Sequence, residues 1–311
     1  MDSLPVNTLL EFHKDTLQTI RKDYNLDKPG SMDQAIDVLH EWVKKQNHFE
    51  IKDYPREYLE RRIIFGKGSV ERAKSKIDKN CTLRTLTPQL YKFIDFKTEL
   101  LYSDIGWDVL LPKMTDDYYR IYLLKMVGKR YDHDIMNYYR WTVAMAEYMT
   151  AYDYCRGIIT VLDFSEANLV ELLKLLNIVE LRQALTLLID GYGVRTKAVH
   201  IITPSTTVEV LVALFKQIVS AKLGQRIQIH KDLDSLHKVV QRDVFPEELG
   251  GNERSIVKLH DEWKDVLSSK EFQQYYDKMR AASTNEKYRQ TDKLNEEYMG
   301  IAGTFKTLNV D

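Results

Sequence analysis

The chain has 311 residues, enough for two domains or one large one and ample for a buried core. Its 44% hydrophobic and 29% charged residues are ordinary globular composition, which excludes a disordered polyelectrolyte and a membrane-embedded chain. With 45 Lys and Arg against 46 Asp and Glu the net charge is −1, so no global field favours nucleic acid, and any anion site must be a local cluster.

Residues 5–100 read as helices: Ala35, Ile36, Val38, Leu39, Trp42 and Val43 recur at helical spacing, and Tyr58, Leu59, Ile63 and Ile64 do so again. Ser69, three residues before Arg72 where a capping box carries Glu, is the expected N-cap of a helix over 70–79. Residues 91–113, with Pro112 and an apolar run at 107–111, read as the crossing between two domains. From Tyr119 the pattern changes, and the β-rich run 121–127, ended by Gly128, is expected to be the first strand. A helical stretch over 134–149 leads to residues 157–163, GIITVLD, a β-branched run of the kind buried on both faces in parallel sheets. Helical residues 171–190 lead to a third strand at 198–203, and residues 206–219 lead to a fourth at 226–230. The polar, weakly periodic segment from residue 281 is expected to pack loosely. The organisation is thus α/β: a helical domain over 1–100, an α/β domain over 101–280 and a C-terminal tail over 281–311.

Cys81 and Cys155 cannot frame a disulfide network or a four-thiolate zinc site, and reduced buried thiols are expected. The first 16 residues, with Asp2, Glu11 and Asp15, lack signal-peptide design, and no apolar run approaches transmembrane length. A cytoplasmic protein is expected, in which the sequon Asn80-Cys81-Thr82 goes unread. The 8 histidines form no His-x-x-x-His pair and no HExxH. Asp132-His133-Asp134 reads as a turn with Asp134 capping the next helix. Gly66-Lys67-Gly68-Ser69 lacks the spacing and order of a phosphate loop. With no GxSxG elbow, Cys/His nucleophile or dinucleotide fingerprint, the expectation is no enzyme, no metal and no cofactor. His200 and His230, in expected strands, read as satisfied core or edge histidines.

Residues 206–219, TTVEVLVALFKQIV, place Val208, Leu211, Val212, Phe215, Ile218 and Val219 on one broad helical face. Such a helix can be a core helix on the sheet or a lid over a lipid cavity, apolar inside and out. Arg195 and Lys197 are two apart on an extended approach to a strand, and Lys222 and Arg226 are four apart on a helix end, so each pair shares a face. They are either two solvated pairs or, if they converge, a four-cation pocket suited to phosphate.

In order along the chain, GIITVLDFS (157–165), RTKAVHIIT (195–203), VALFKQIVSAKLGQRIQIHKDLDSL (212–236) and FPEELGG (245–251) resemble the CRAL-TRIO, or Sec14-like, lipid-binding domain, on the side of insect α-tocopherol-transfer-protein-like and retinaldehyde-binding-protein-like members. Upstream, YLERRIIFGKGSVERAKSKID (58–78) is similar to the helical N-terminal domain of that family, so the resemblance runs over residues 32–263. It implies a mainly parallel sheet of four or five strands, one hydrophobic ligand inside, and a mobile gate at 206–219. It implies a pocket of Ile158, Thr160, Leu162, Leu187, Val199, Ile201, Val208, Leu211, Val212, Phe215 and Val219, and a phosphoinositide site at Arg195, Lys197, Lys222 and Arg226. The cargo so implied is a retinoid, carotenoid, tocopherol or isoprenoid such as juvenile hormone, carried by a monomer that meets membranes transiently. Sec14-like phospholipid exchange, a lipid-gated signalling adaptor, and an enzyme using Thr160 with Tyr139 or Tyr148 are the rival readings. Three departures stand out. The family's N-terminal arginine-rich segment is replaced by RIIFGKG (62–68), leaving Lys67 or Arg62 to take its place; the gate opens on Thr203-Pro204-Ser205; and Leu249 stands where a Tyr usually precedes Gly-Gly.

Overall fold

Helices α1 (Thr16–Asp23), α2 (Ser31–Lys44), α3 (Arg56–Phe65) and α4 (Val70–Leu86) lead the chain in the computed structural model, which describes Leu4 and residues 7–99, 105–128 and 135–290. Ser69 caps α4 by accepting from the Arg72 backbone N–H, and the helix runs seven residues past the expected end because Ile77, Cys81 and Leu83 keep one side buried. Asn80 is 1% exposed on this helix, so the sequon is closed to any glycosylating enzyme. Both cysteines are free and buried, and burial raises their thiol pKa values. The expected Asp132-His133-Asp134 turn lies outside the described residues.

Then come β1 (Gly106–Met114), β2 (Tyr119–Gly128), α5 (Ile135–Tyr152), β3 (Gly157–Ala167), α6 (Leu169–Leu175), α7 (Ile178–Thr186), a wide π-turn at Leu187–Tyr192, and β4 (Thr196–Ile202). Next are α8 (Val208–Ile218), α9 (Ala221–Gly224), β5 (Ile227–His230), α10 (Leu233–His237), α11 (Ile256–Leu267) and α12 (Lys270–Arg280). The strands form one sheet in the order β1-β2-β3-β4-β5, antiparallel between β1 and β2 and parallel elsewhere. The last part of the segment read as the domain crossing, from Gly106 on, is therefore strand β1, and the run at 121–127 is the second strand. Pro112 misled the reading, since it removes a ladder donor; β1 accommodates it as an edge strand whose register shifts between Leu110 and Met114.

Because β2 to β5 follow one another in space, their crossover helices α5 to α9 gather on one face under the right-handed crossover rule. The opposite face is covered by α11, where Trp263 Nε1 donates to Leu110 O at 3.0 Å and His260 Nδ1 lies 3.0 Å from Asp108 O. Burial on both faces explains the near-continuous apolar strands. The start of the supposed loose tail is bound instead: Thr284 pairs with Phe49, and Arg289 bonds both carboxylate oxygens of Asp78 at 2.9 Å. Among the described residues no helix is long and apolar enough to cross a membrane.

His200 on β4 and His230 on β5 are buried with Nδ1 and Nε2 2.9 Å apart, one donating and the other accepting, which requires at least one of the two rings to be neutral. Burial, then the neighbouring His230, lowers the His200 pKa from 6.5 to about 4, and burial lowers that of His230. The folded pKa lies below the unfolded one, so this contribution is complete above 6.5 and is lost as pH falls from there towards 4. Urea unfolding at pH 7 and pH 5 should show His200→Gln recovering about 1–2 kcal/mol of the acid-induced loss. An unchanged pH slope in the variant would refute this assignment.

Candidate functional site

Between the sheet and helices α5, α7 and α8 lies an apolar cavity of about 300 Å³. Alternation along β3 turns Ile158, Thr160, Leu162 and Phe164 into it, and β2 adds Tyr122, Leu124 and Met126. Helix α5 contributes a stripe at helical spacing, with Tyr138, Tyr139, Thr142, Met145, Ala146 and Met149. None of the described side chains lining the cavity is charged; its polar atoms are hydroxyls of tyrosine and threonine. Tyr122 donates to Asp108 Oδ2 at 2.6 Å and lies 3.1 Å from the Tyr138 hydroxyl; burial and Asp108 push its pKa far up, so it remains a donor. The Tyr139 hydroxyl is buried with no partner.

Of the residues singled out from the sequence, Ile158, Thr160, Leu162, Val199, Leu211, Phe215 and Val219 line this cavity. Leu187, Ile201, Val208 and Val212 do not. Ile201, Val208 and Val212 are packed in one buried cluster with Leu124, Leu162, Phe164, Leu169, Leu172 and Leu211, where the first turns of α8 sit down on β4. Leu187 is fully buried because the helix expected over 171–190 breaks. Asn177 caps α7 by accepting from the Val179 and Glu180 N–H groups, and the wide turn after Thr186 brings Leu188, Ile189 and Tyr192 to the wall instead. Tyr139 lines the cavity, whereas Tyr148 bonds Asn7 elsewhere. Missed were the α5 stripe apart from Tyr139, the β2 residues Tyr122, Leu124 and Met126, and, among others, Gly106, Leu110 and Phe164; the 3.6-residue spacing of the stripe was legible, its partner surface was not.

Helix α8 covers the cavity with Val208, Leu211 and Val212 buried, while Glu209, Val210, Ala213, Lys216 and Gln217 face outward, Val210 being 58% exposed. Its entry is pinned by side-chain turns, with Ser205 N donating to Thr203 Oγ1 and Thr207 N to Ser205 Oγ.

A second cavity of about 270 Å³ opens beside the first. Lys67, Arg72, Lys76, Arg195, Lys222 and Arg226 line it, and no acidic side chain among the described residues does. Lys67 is delivered by the α3–α4 turn, where it takes φ 58° and Gly68 takes φ 72°, a conformation closed to a side chain there because a Cβ would lie 2.4 Å from Tyr24 Cβ. Arg72 and Lys76, one turn apart on α4, were not anticipated. Arg195, Lys222 and Arg226 thus converge, while Lys197, two residues further along β4, stands outside the lining over the Tyr119 ring at 5.4 Å. Arg62 is buried and donates to the Gly191 and Tyr192 carbonyls, so it is Lys67 that reaches the cleft. Burial first, then Arg62, lowers the Lys76 pKa to about 8; burial and Arg195 lower that of Lys67. Mutually repelling cations held around one space favour an anion.

Residues 109–251 match the family model of the CRAL/TRIO domain. This segment is a CRAL/TRIO domain. Over 71 residues it is 34% identical to an alpha-tocopherol transfer protein-like protein of Mus musculus and 32% identical to the one of Homo sapiens, a segment covering 22% of this chain and 21% of each relative. The match thus spans about a fifth of the length of these relatives. A solved structure titled "Crystal structure of Sfh5" aligns with a TM-score of 0.45 and 10% identity over 85% of this chain and 100% of its own. The CRAL/TRIO match takes in most of the cavity's sheet and all of α5 to α8, whereas Lys67, Arg72 and Lys76 of the cleft lie upstream of it.

Proposed function

We propose that this CRAL-TRIO protein is a non-enzymatic carrier that encloses one neutral hydrophobic molecule of the retinoid, carotenoid, tocopherol or isoprenoid class, and exchanges it at phosphoinositide-bearing membranes. The observation that carries this reading is the cavity lining: among the described residues it is uncharged and apolar, with a few tyrosine and threonine hydroxyls. A carboxylate or phosphate in such a space would remain uncompensated, which disfavours fatty acids and phospholipid head groups. An alcohol, ketone, ester or epoxide would find hydroxyl donors, including the partnerless Tyr139 hydroxyl. Burying several hundred Å² of apolar ligand surface at roughly 25 cal/mol per Å² supplies the affinity before binding costs, with no reaction needed. The cation cleft supports docking on anionic head groups, with the outward Val210 of α8 turned to the lipid.

Native mass spectrometry of the protein from its own tissue, with extraction of the bound molecule, tests the cargo: one neutral isoprenoid is expected, and a phospholipid would move the function to Sec14-like exchange. The membrane step is tested by replacing Lys67, Arg72, Arg195 and Lys222 together by alanine. Ligand binding should persist while transfer to phosphatidylinositol-bisphosphate vesicles falls at least tenfold; unchanged transfer would refute the docking role.

A further inference from the structure

The hydroxyls of the apolar cavity have a direction. Along β1, Gly106 and Leu110 line the cavity, and Asp108 stands between them on the same face of the strand, paired with the lining residue Leu124 of β2. Asp108 is fully buried, and the Tyr122 hydroxyl closes over it, donating to Oδ2 at 2.6 Å. That bond uses the one hydroxyl proton of Tyr122, so the 3.1 Å contact with Tyr138 runs from the Tyr138 hydroxyl to the Tyr122 oxygen. Tyr138 then offers the cavity lone pairs and no proton. Two further lining hydroxyls are turned outward in the same way: Tyr192 donates to Glu147 Oε2 at 2.8 Å, and Thr142 to the Tyr138 carbonyl at 2.9 Å. Burial first, and then the charge of Asp108, raises the pKa of both Tyr122 and Tyr138. His260, with Nδ1 3.9 Å from Asp108 Oδ1, does not cancel that charge at neutral pH, because burial lowers its pKa to about 4.

We infer that the corner formed by Asp108, Tyr122 and Tyr138 is a subsite for a hydroxyl group, so that the enclosed molecule is an alcohol or phenol held through its own O–H on the Tyr138 oxygen. The carboxylate polarises the chain, since a phenol that donates towards it becomes a better acceptor at its own oxygen. A ligand hydroxyl continues the sequence of donors and acceptors. An aldehyde, ketone or ester sets lone pair against lone pair there, which is repulsive. A site built to accept from a substrate hydroxyl rejects the analogue without one far more sharply than apolar packing tells two shapes apart. Tyr139, whose hydroxyl is buried without a partner, is a donor that a carbonyl can use, but it stands one residue on, about 100° further round α5 from Tyr138. The direction of the proton chain, rather than the size of the cavity, therefore selects the oxidation level of the ligand's oxygen.

This inference rests on the proposed carrier reading, and the test separates the two. Binding of all-trans-retinol and of all-trans-retinal, which share a skeleton and differ in the hydroxyl, is measured by quenching of tryptophan fluorescence in the full chain. Retinol is expected to bind about tenfold tighter or more. Tyr138→Phe, which keeps the ring and removes the acceptor, should weaken retinol about tenfold and leave retinal within about twofold. Asp108→Asn tests the direction itself. An amide N–H in place of the carboxylate donates to Tyr122, so that Tyr122 donates to Tyr138 and Tyr138 to the ligand, and the preference should vanish or pass to retinal. Melting curves establish that each variant is folded; should Asp108→Asn fail to fold, Tyr122→Phe, which cuts the chain behind Tyr138, should abolish the preference too. Equal affinity of the unaltered protein for retinol and retinal, or a preference that survives Tyr138→Phe, would overturn the inference and leave the carrier reading standing. If neither retinoid binds, the lipid extracted from the native protein decides. An alcohol or phenol supports the subsite, a neutral lipid without an O–H overturns the inference alone, and no lipid at all overturns both.

Discussion

Ala146→Trp is expected to lower ligand affinity at least 100-fold, about 2.7 kcal/mol, while the protein stays folded. Ala146 lies on the α5 stripe with Thr142 and Met149 one turn to either side, and its methyl group points into the cavity of about 300 Å³. An indole there occupies the space that a ligand would fill. Overpacking a closed core costs about 1–3 kcal/mol because neighbours must move; in an open cavity nothing has to move, and the ring gains apolar contacts. The control is Ala144→Trp. Ala144 is fully buried two residues away on the packed side of the same helix, so the same substitution should destabilise strongly there. Retinol titration and thermal melting of both variants check the pair: a folded Ala146→Trp protein with native affinity would show that the ligand sits elsewhere.

The parallel strands were legible because burial on both faces demands uninterrupted β-branched runs, and residues 157–163 have few other uses. Strand β1 was not, because Pro112 breaks the local pattern and only its edge position, a tertiary fact, makes it tolerable. The split between α6 and α7 carried a signal that periodicity concealed: Asn177 followed by Glu180 is a helix start inside an apolar run. In the cleft, the spacing of Lys222 and Arg226 and the capped start of α4 were both readable, but nothing local says that α4 faces β4. Lys197 shows the converse. Its shared strand face with Arg195 was correctly inferred, yet two residues of strand carry it roughly 7 Å along, enough to leave the lining.

The second large effect concerns what holds α5 in place behind that cavity. Glu147, next to Ala146 and about 100° further round the helix, is buried with Arg84 at 2.6 Å, their side chains 1% and 2% exposed. Tyr192 donates to its Oε2 at 2.8 Å and Tyr275 to its Oε1 at 3.0 Å. Arg84→Met should cost about 3–5 kcal/mol in urea unfolding at pH 7, because it strands a carboxylate without its counter-charge. A double variant identifies the cause. Arg84→Met combined with Glu147→Leu should recover most of the loss, the residue being two phenols left without an acceptor. Tyr192 connects this pair to function, since it also lines the cavity. Once Glu147 is replaced, the Tyr192 hydroxyl loses its acceptor, and ligand dissociation should quicken in the double variant even where it has regained its stability.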